Sequence, residues 1–599
     1  VDVGLDTAQV HADEDPDHRA PSAASPPSSG VLVGVDLRGI QAYVYSGRRI
    51  LDAVGRAALV AELTDTSDHR HGVADLMPED GLTLRDAGGA LTVVLPDLAT
   101  ARTFTSRYTR RLRDRAGDLT PVVAFVPYGP GAPQVRGEES APDLDAALAA
   151  LPVRLRRARR HMSALHAPAH GHGITAVCAV SGAPAESVDS SRSDHTRVPE
   201  RVAADVARAR GIGRRWHRAH SDAWLADAVT ATGSPELALP MEVDRLGRDH
   251  GDVSRVAVVH LDVNGLGEIL GRYRERVGDP ARPGSGALAQ RDLSTRIAGL
   301  TRGLARALVR AVAATVHAAP GVHPHIPGAG TGGPLTLDHD PSGTVRLPLR
   351  PIVVAGDDLT ILCDARLALA LVRHALHWLD ADPERITDVD DPRVALHRAL
   401  AAAHGTAGRR VRDRAHTTWV PTVGAGVAVQ PVGAPLSLGY DLCEAMCRLA
   451  KTHRVARAEH DPTVADDHTV AWTTRFDGVR RVMDRVEAAR GARPPRTAQP
   501  MSGGDFTRFL DRYLSGHGGG ALVDGDTRGR GWLVSSLVPL LASGADPEPE
   551  LARRARVTGR PVALPTGWTP GALLDAVGVM DLYLDPWATT AAPSGGGGV

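Results

Sequence analysis

Two adjacent carboxylates, Asp357 and Asp358, interrupt an apolar, β-branched stretch that runs from Arg350 to Cys363, RPIVVAGDDLTILC. Gly356 precedes them, and the apolar pattern resumes after them. Two buried strands joined by a tight acidic turn would read this way. A third carboxylate, Asp262, ends the apolar run VAVVHLD and is followed by NGLG at the start of a helical pattern. If these strands are neighbours, the three acids gather at one sheet edge, where they repel each other unless cations neutralise them. Mg²⁺ and Mn²⁺ take oxygen ligands and bridge carboxylates to substrate phosphates. Two such ions can activate a 3′-hydroxyl and stabilise charge on an α-phosphate during in-line displacement. Asp262, Asp357 and Asp358 are therefore the candidate catalytic and metal-holding residues. Gly356 lets the backbone turn tightly beside a triphosphate. Asn264, Gly265 and Gly267 open a helix whose first N–H groups can hold phosphate oxygens. Lys451, on a later helix, is a candidate cation for the triphosphate tail, and Arg454 is a weaker one. Taken singly, GDD is a solvated turn, DVNGLG an Asx-type turn feeding a helix and Lys451 a surface lysine. Their placement at corresponding strand ends is what argues for chemistry.

A sheet must hold these acids, and the chain carries the required pattern twice. Residues 1–30 are polar and Pro/Ser-rich, the composition of a disordered leader. From 31 to 130 the order is strand, turn and amphipathic helix, two strands around Gly88-Gly89, a helix with an Asp start (DLATARTFTSRYTRRLRDRAG), and the strand TPVVAFVPY. That is βαββαβ, a ferredoxin-like module. Residues 131–252 form a less regular helical middle with two basic stretches, RLRRARRHMSAL and RARGIGRRWHRAH. From 253 to 480 the module recurs with insertions. It has a long helix over about 289–317, a loop insertion over 319–345, the acidic hairpin, the helix DARLALALVRHALHWL, the strand TTWVPTVGAGVAVQP and the helix LGYDLCEAMCRLAKTH. Residues 481–590 suggest a helical C-terminal domain, and 591–599 a flexible tail. The fold class expected is α+β, with two ferredoxin-like modules and helical middle and C-terminal domains. The first module's hairpin, DAGGAL, has no paired acids, so Asp36 at the end of its first strand lacks metal partners; this copy reads as catalytically inert.

Composition narrows the classes. With 599 residues, 43% hydrophobic and 23% charged, the chain is an ordinary multi-domain globular protein. A formal charge of −1 supplies no global attraction to nucleic acid, so such contacts fall to the local basic stretches, whose plainer reading is a solvated helix face. Cys178, Cys363, Cys443 and Cys447 form no CxxC pair, which favours a reducing, cytoplasmic setting. Cys443 and Cys447, four apart on one helix, read as core residues. No apolar run approaches the roughly 18 residues that span a membrane. His166, His170 and His172 lie in a Gly/Ala/Pro loop and read as a solvated polar loop rather than a metal site.

These motifs resemble the large polymerase-like subunit of type III CRISPR effector complexes, whose palm domains are related to GGDEF diguanylate cyclases and adenylyl cyclases. The family's GGDD hairpin is here AGDD, with Ala355 for the first glycine. Its metal strand followed by a Gly-containing helix start is LDVNGLG, its Ala-Lys helix is LAKTH, and its first palm begins like VDLRGIQAYVYSGRRILDAVGRAALVAEL. The resemblance covers most of residues 31–480. It implies that the chain converts ATP to cyclic oligoadenylates when a guide complex binds target RNA, with partner subunits, guide RNA and target RNA, and two Mg²⁺ or Mn²⁺ ions. The residues carried over are Asp262, Asp357 and Asp358 for metal, Gly356 for the turn and Lys451 for phosphate. There are three departures. Many relatives begin with an HD-type nuclease domain, where here about thirty residues precede the first module, so DNA cleavage is not expected. Many have a Cys-rich zinc site between the palms; CAVSGAPAES looks like its eroded remnant, with Cys178 kept and Ser181 where a second cysteine would stand, and VPERVAAD has none, so no zinc is expected. Ala355 cannot reach positive φ cheaply, which bears on activity. A scaffold subunit and a stand-alone nucleotide cyclase are the competing readings.

Overall fold

The structure, a computed structural model, describes residues 26–588 apart from 118, 133–141, 163–173, 191–198, 247–253, 329–332, 405–420, 462–463, 465–466, 516–530, 560–563 and 565. Most of the leader, the tail, and His166, His170 and His172 lie outside the described residues.

The first sheet contains β1 (Gly30–Arg38), β2 (Leu82–Ala87), β3 (Ala90–Leu95) and β4 (Thr120–Tyr128) in the order β2-β3-β1-β4. All neighbours are antiparallel. Helices α1 (Ile40–Tyr45) and α2 (Ile50–Glu62) connect β1 to β2, and α3 (Leu98–Arg115) connects β3 to β4. Asp97 caps α3 by accepting from the Thr100 N–H at 2.8 Å. Alternation along β1 sends Val31, Val33 and Val35 to one face and Leu32 to the other. The second face is covered by α4 (Leu144–Met162), through Ala147, Leu148 and Leu151. This basic helix, which the sequence places in a middle domain, packs as a layer of the first sheet because its inner stripe is apolar.

Helix α5 (Ala204–Leu225) crosses α2 closely. A Cβ on Gly55 would stand 2.0 Å from the Ala209 carbonyl oxygen, so the crossing requires glycine there. Arg210, 1% exposed, fastens the pair. Its guanidinium lies 2.6 Å from Asp52 and 2.7 Å from both Asp189 and Glu200. Removing one partner from such a buried cluster costs about 3–5 kcal/mol.

The second sheet contains β5 (Arg255–Val263), β6 (Leu349–Ala355), β7 (Asp358–Asp364), β8 (Val423–Pro431), β9 (Thr469–Thr473) and β10 (Met501–Ser502), in the order β6-β7-β5-β8-β9-β10. Its first four strands repeat the order and antiparallel pairing of the first sheet. The sheet then continues past the four strands expected, because Val470 and Trp472 give a short buried strand a place parallel to β8. The helices α6 (Leu266–Val277), α7 (Ser285–Ala313), α8 (Ala368–Asp380), α9 (Pro392–His404), α10 (Leu436–His460), α11 (Val479–Gly491) and α12 (Gly503–Tyr513) connect or flank these strands. The 319–345 insertion carries short two-residue strands, His325–Ile326, Leu335–Thr336 and Val345–Arg346.

Two cores hold the assembly. One is continuous across both modules, joining Val33, Leu59 and Phe104 to Val258, Leu362, Leu442 and Met446. The other lies on the far face of the second sheet, against α7 and α8, and also takes Phe506, Leu510, Leu537 and Leu573. The expected C-terminal domain therefore shares its core with the second sheet. At about 1.5–3 kcal/mol per fully buried large aliphatic side chain, the first core binds the two modules together and the second binds the C-terminal helices to the second sheet.

Candidate functional site

Backbone register alone brings the acids together. Asp358 is the direct cross-strand partner of Asp262, and Asp262 also faces Gly424 on β8. Ala355 pairs with Asp358, which leaves Gly356 and Asp357 as a two-residue turn. Such turns take positive φ at their first position, and Gly356 has φ 59. Ala355 is a paired strand residue, so the left-handed conformation that alanine resists is not asked of it. Thr301 of α7 donates to the Gly356 carbonyl at 2.7 Å and fastens the hairpin tip to the core helix.

Side chains then orient the carboxylates. Lys451 of α10 places its ammonium 2.5 Å from Asp262 Oδ2 and donates to the Val263 carbonyl at 3.0 Å. It reaches there only because position 424 is glycine: an added Cβ would stand 2.6 Å from Lys451 Cγ. His260, two residues before Asp262 and therefore on the same face, is 4% exposed and sets Nδ1 3.1 Å from Asp358 Oδ1. Thr360 donates to the same oxygen at 3.3 Å. Burial pulls the imidazole down, but the Asp358 and Asp262 charges outweigh it and hold His260 above its ordinary range. Burial, followed by the charges of Asp262 and Asp358, pushes Asp357 up to about 6. Beneath the acids, Tyr45 from the first module stacks on Tyr440 with ring centroids 4.4 Å apart.

Asp262, Asp357, Asp358 and Lys451 line a cavity of about 400 Å³ whose opposite wall is the first module, with Gln41 of α1, Ala57 and Val60 of α2, and Arg85, Gly88 and Gly89 of its hairpin. The other sequence candidates stand apart from its walls. Asn264 is buried at the joint of β5 and β8, with its backbone N–H on the Thr422 carbonyl at 2.8 Å and Nδ2 on Thr422 Oγ1 at 3.0 Å. Gly265, with φ 64, is the N-cap of α6. A Cβ at Gly265, Gly267 or Gly356 would meet nothing within 4 Å, so the approach along α6 is open. Arg454 also lies outside the cavity lining. Sequence reading missed His260, Gly424, Tyr440 and the first-module wall. A histidine at i−2 from a metal-strand aspartate was the available signal for the first; the others depend on tertiary placement.

The donor set fits a hard divalent cation. Three carboxylates crowd until one holds its proton to about 6, even with Lys451 beside Asp262 and His260 beside Asp358. His260, Asp262 and Cys447 also offer ligand atoms within 4.8 Å of one another. Burial pushes the Cys447 thiol up to about 12, and it donates to the Gly424 carbonyl at 3.3 Å, so the sulfur stays protonated and the oxygens remain the metal donors. Cys178 sits elsewhere, in a small apolar core with Val202, Ala203 and Val206, and accepts from the Val180 and Ser181 N–H groups at 3.4 Å. No helix among the described residues is long and apolar enough to cross a membrane.

No family model and no curated protein matches the chain. Among solved structures it is similar to Csm1 chains. Csm1 in T. onnurineus aligns at 13% identity and a TM-score of 0.41, covering 93% of this chain and 70% of that one. The Csm1-Csm4 cassette in complex with pppApApA aligns at 12% identity and a TM-score of 0.40, with the same coverage. The cassette in complex with cA4 aligns at 11% identity and a TM-score of 0.38, again covering 93% and 70%. A further neighbour is the Csm1-Csm4 subcomplex in the type III-A CRISPR-Csm interference complex, at 12% identity and a TM-score of 0.37.

Proposed function

We propose that the chain is a metal-dependent nucleotidyltransferase that joins ATP into cyclic oligoadenylates as a palm-type subunit of a type III CRISPR complex. The observation that carries the reading is the register of Asp358 against Asp262, with Asp357 at the tip beside them, on the wall of a nucleotide-sized cavity. The two modules are then palm domains, with the second one catalytic.

The chemistry follows from the residues. Asp262, Asp357 and Asp358 would hold two Mg²⁺ or Mn²⁺ ions, which when bound supply Lewis acidity at an α-phosphate and lower the pKa of an attacking 3′-hydroxyl. His260 and Thr360 fix the Asp358 carboxylate, and Thr301 holds the turn, so the oxygens are preorganised rather than reoriented during reaction. Lys451 neutralises Asp262 in the resting site and can transfer its hydrogen bonds to a phosphate oxygen once that carboxylate is engaged. The open N-terminus of α6, at Gly265 and Gly267, is the place for the triphosphate. The first-module wall confines the second nucleotide, which aligns the reacting groups.

The test is to incubate the full chain with ATP and Mg²⁺ or Mn²⁺, alone and reconstituted with partner subunits, guide RNA and complementary target RNA, with products read by mass spectrometry. The ligands seen with the Csm1 chains, linear and cyclic oligoadenylates, are the standards to compare against. Oligoadenylate that appears only with target RNA supports the reading. Its absence under every condition, with both nucleotide and RNA bound, leaves a scaffold.

A further inference from the structure

A second cavity, of about 470 Å³, shares no lining residue with the first. It lies between the C-terminal half of α10, one face of α12 along its length, and the residues that lead into α15 (Pro570–Val579), which follows α13 (Val538–Ser543) and α14 (Glu548–Thr558) in the C-terminal region. Its walls hold three arginines, Arg457, Arg508 and Arg512, against one carboxylate, Asp505. That carboxylate is engaged by Arg508 at 2.6 Å and by the Ser502 hydroxyl at 2.7 Å. The other two arginines are loosely held. Arg457 comes no closer than 3.7 Å to Asp467, and Arg512 donates to the Gly567 carbonyl at 3.4 Å. The rest of the wall is mixed, with the apolar and aromatic Met501, Phe509 and Tyr513 beside the polar His453, Ser502 and Thr569.

We infer that this cavity is a second nucleotide site, in which Arg457 and Arg512 grip a phosphate ester and the apolar wall takes the base or sugar. Guanidinium groups present forked donors that match phosphate oxygens, and the 3.7 Å separation of Arg457 from Asp467 and the single long bond from Arg512 to the Gly567 carbonyl leave donors that a phosphate can engage. Size separates a nucleotide from a free anion. The cavity falls within the roughly 300–1,000 Å³ range of small-molecule sites, and inorganic phosphate would leave most of it empty. The position gives the site a connection as well as a charge: α10 carries Lys451 into the first cavity and Arg457, about 9 Å further along the helix, into the second.

The inference leans on the proposed function only for the choice of an adenine nucleotide as probe. The full chain is titrated calorimetrically with AMP, and in parallel with inorganic phosphate, without divalent cations. AMP is expected to bind the parent and the Asp357→Asn/Asp358→Asn variant alike. Arg457→Gln with Arg512→Gln should lose about tenfold or more in affinity, the scale of one or two charge-assisted hydrogen bonds. Arg457→Lys with Arg512→Lys should recover part of that loss, since charge returns without the fork. Thermal melts of these variants should match the parent, because both side chains sit at the protein surface. Unchanged AMP affinity in the glutamine variant overturns the inference, as does inorganic phosphate binding as tightly as AMP. AMP binding lost in the asparagine variant alone also overturns it, because the ligand then belongs to the first cavity. If instead the asparagine variant still made oligoadenylate, the proposed function would fail while this site stood.

Discussion

In the first module Asp36 faces Ala90 and Val122 across the sheet; in the second, Asp262 faces Asp358 and Gly424. The hairpin turns align residue by residue, Ala87-Gly88-Gly89-Ala90 against Ala355-Gly356-Asp357-Asp358. Even the cation that answers the strand-end aspartate is shared. Arg159 pairs with Asp36 and Lys451 with Asp262. Each lies fifteen residues past the first residue of the helix that follows its module's fourth strand. A strand-end carboxylate bonded to a helix cation is therefore a feature of the frame, present with or without chemistry. The difference lies in the two hairpin acids and in the glycine that lets a long side chain cross β8.

The largest expected effect breaks that difference directly. Asp357→Asn with Asp358→Asn keeps shape and hydrogen-bonding size but removes two charges. Nucleotidyl transfer from ATP should fall on the order of a thousandfold, because charge neutralisation dominates such chemistry. Asp262→Asn should behave similarly. Asp36→Asn should leave synthesis nearly intact and cost less than about 1 kcal/mol, the usual worth of a partly exposed ion pair. Product formation by mass spectrometry decides, and equal losses from Asp36→Asn and Asp262→Asn would mean that both modules act.

The next effect concerns the crossing glycine. In Gly424→Ala the new Cβ would stand 2.6 Å from Lys451 Cγ and 3.1 Å from Cε. Lysine can shift, so the fold should lose only about 1–3 kcal/mol, the scale of modest overpacking. The ammonium should leave Asp262, and synthesis should drop by about tenfold to a hundredfold, with the larger change in KM for ATP. A variant that melts lower yet turns over normally would show that Lys451 is structural.

The carboxylates were legible in the sequence because the signals are local. A strand, a glycine and two acids define a hairpin tip, and the recurrence of βαββαβ places Asp262 beside it. Topology followed from the same repeat. Gly424 was not legible: within TVGAGVAVQP it reads as one of two strand glycines, and only the approach of α10 shows which one a side chain must cross. The phosphate role given to Asn264 came from its place before a helix, where burial and the Thr422 bonds now occupy its backbone and amide donors. The fifth and sixth strands escaped notice because β9 has five residues and β10 two, too short for alternation to register.

Gly89 sharpens the comparison from the inert side. It has φ 73, and a Cβ there would lie 2.1 Å from Ile40 Cδ1. A side chain at the position that carries Asp357 in the second module would, in the first, have to push aside the tip of Ile40 and hold a left-handed backbone. Gly89→Ala should destabilise the fold by about 1–2 kcal/mol, chiefly left-handed strain, since the Ile40 tip can move. The neighbouring Ala90→Asp asks for no left-handed backbone, and the like charge it sets opposite Asp36 is answered by Arg159, so it should cost less. Urea unfolding of the two variants tests this, and equal costs would remove the steric reason for the missing acid.

The smallest effect is a pH dependence that belongs to the second module alone. Folding raises Asp357 to about 6, whereas the unfolded chain titrates near the ordinary value of about 3.9. Below about pH 4 both states are protonated and the crowding has no cost. Between about pH 4 and 6 the unfolded state loses its proton while the folded state retains it, so stability falls as pH rises. Above about 6 the penalty is complete and flat. Solvent at the turn screens it to the order of 1–2 kcal/mol. Melts of the parent in EDTA, measured against Asp357→Asn, should therefore diverge through this window, with the asparagine variant the more stable at neutral pH. Saturating Mg²⁺ should close the gap from the other side, because cations relieve the same repulsion that asparagine removes. A gap that is absent in EDTA, or that Mg²⁺ leaves untouched, would mean that the three carboxylates do not share one charge-crowded site.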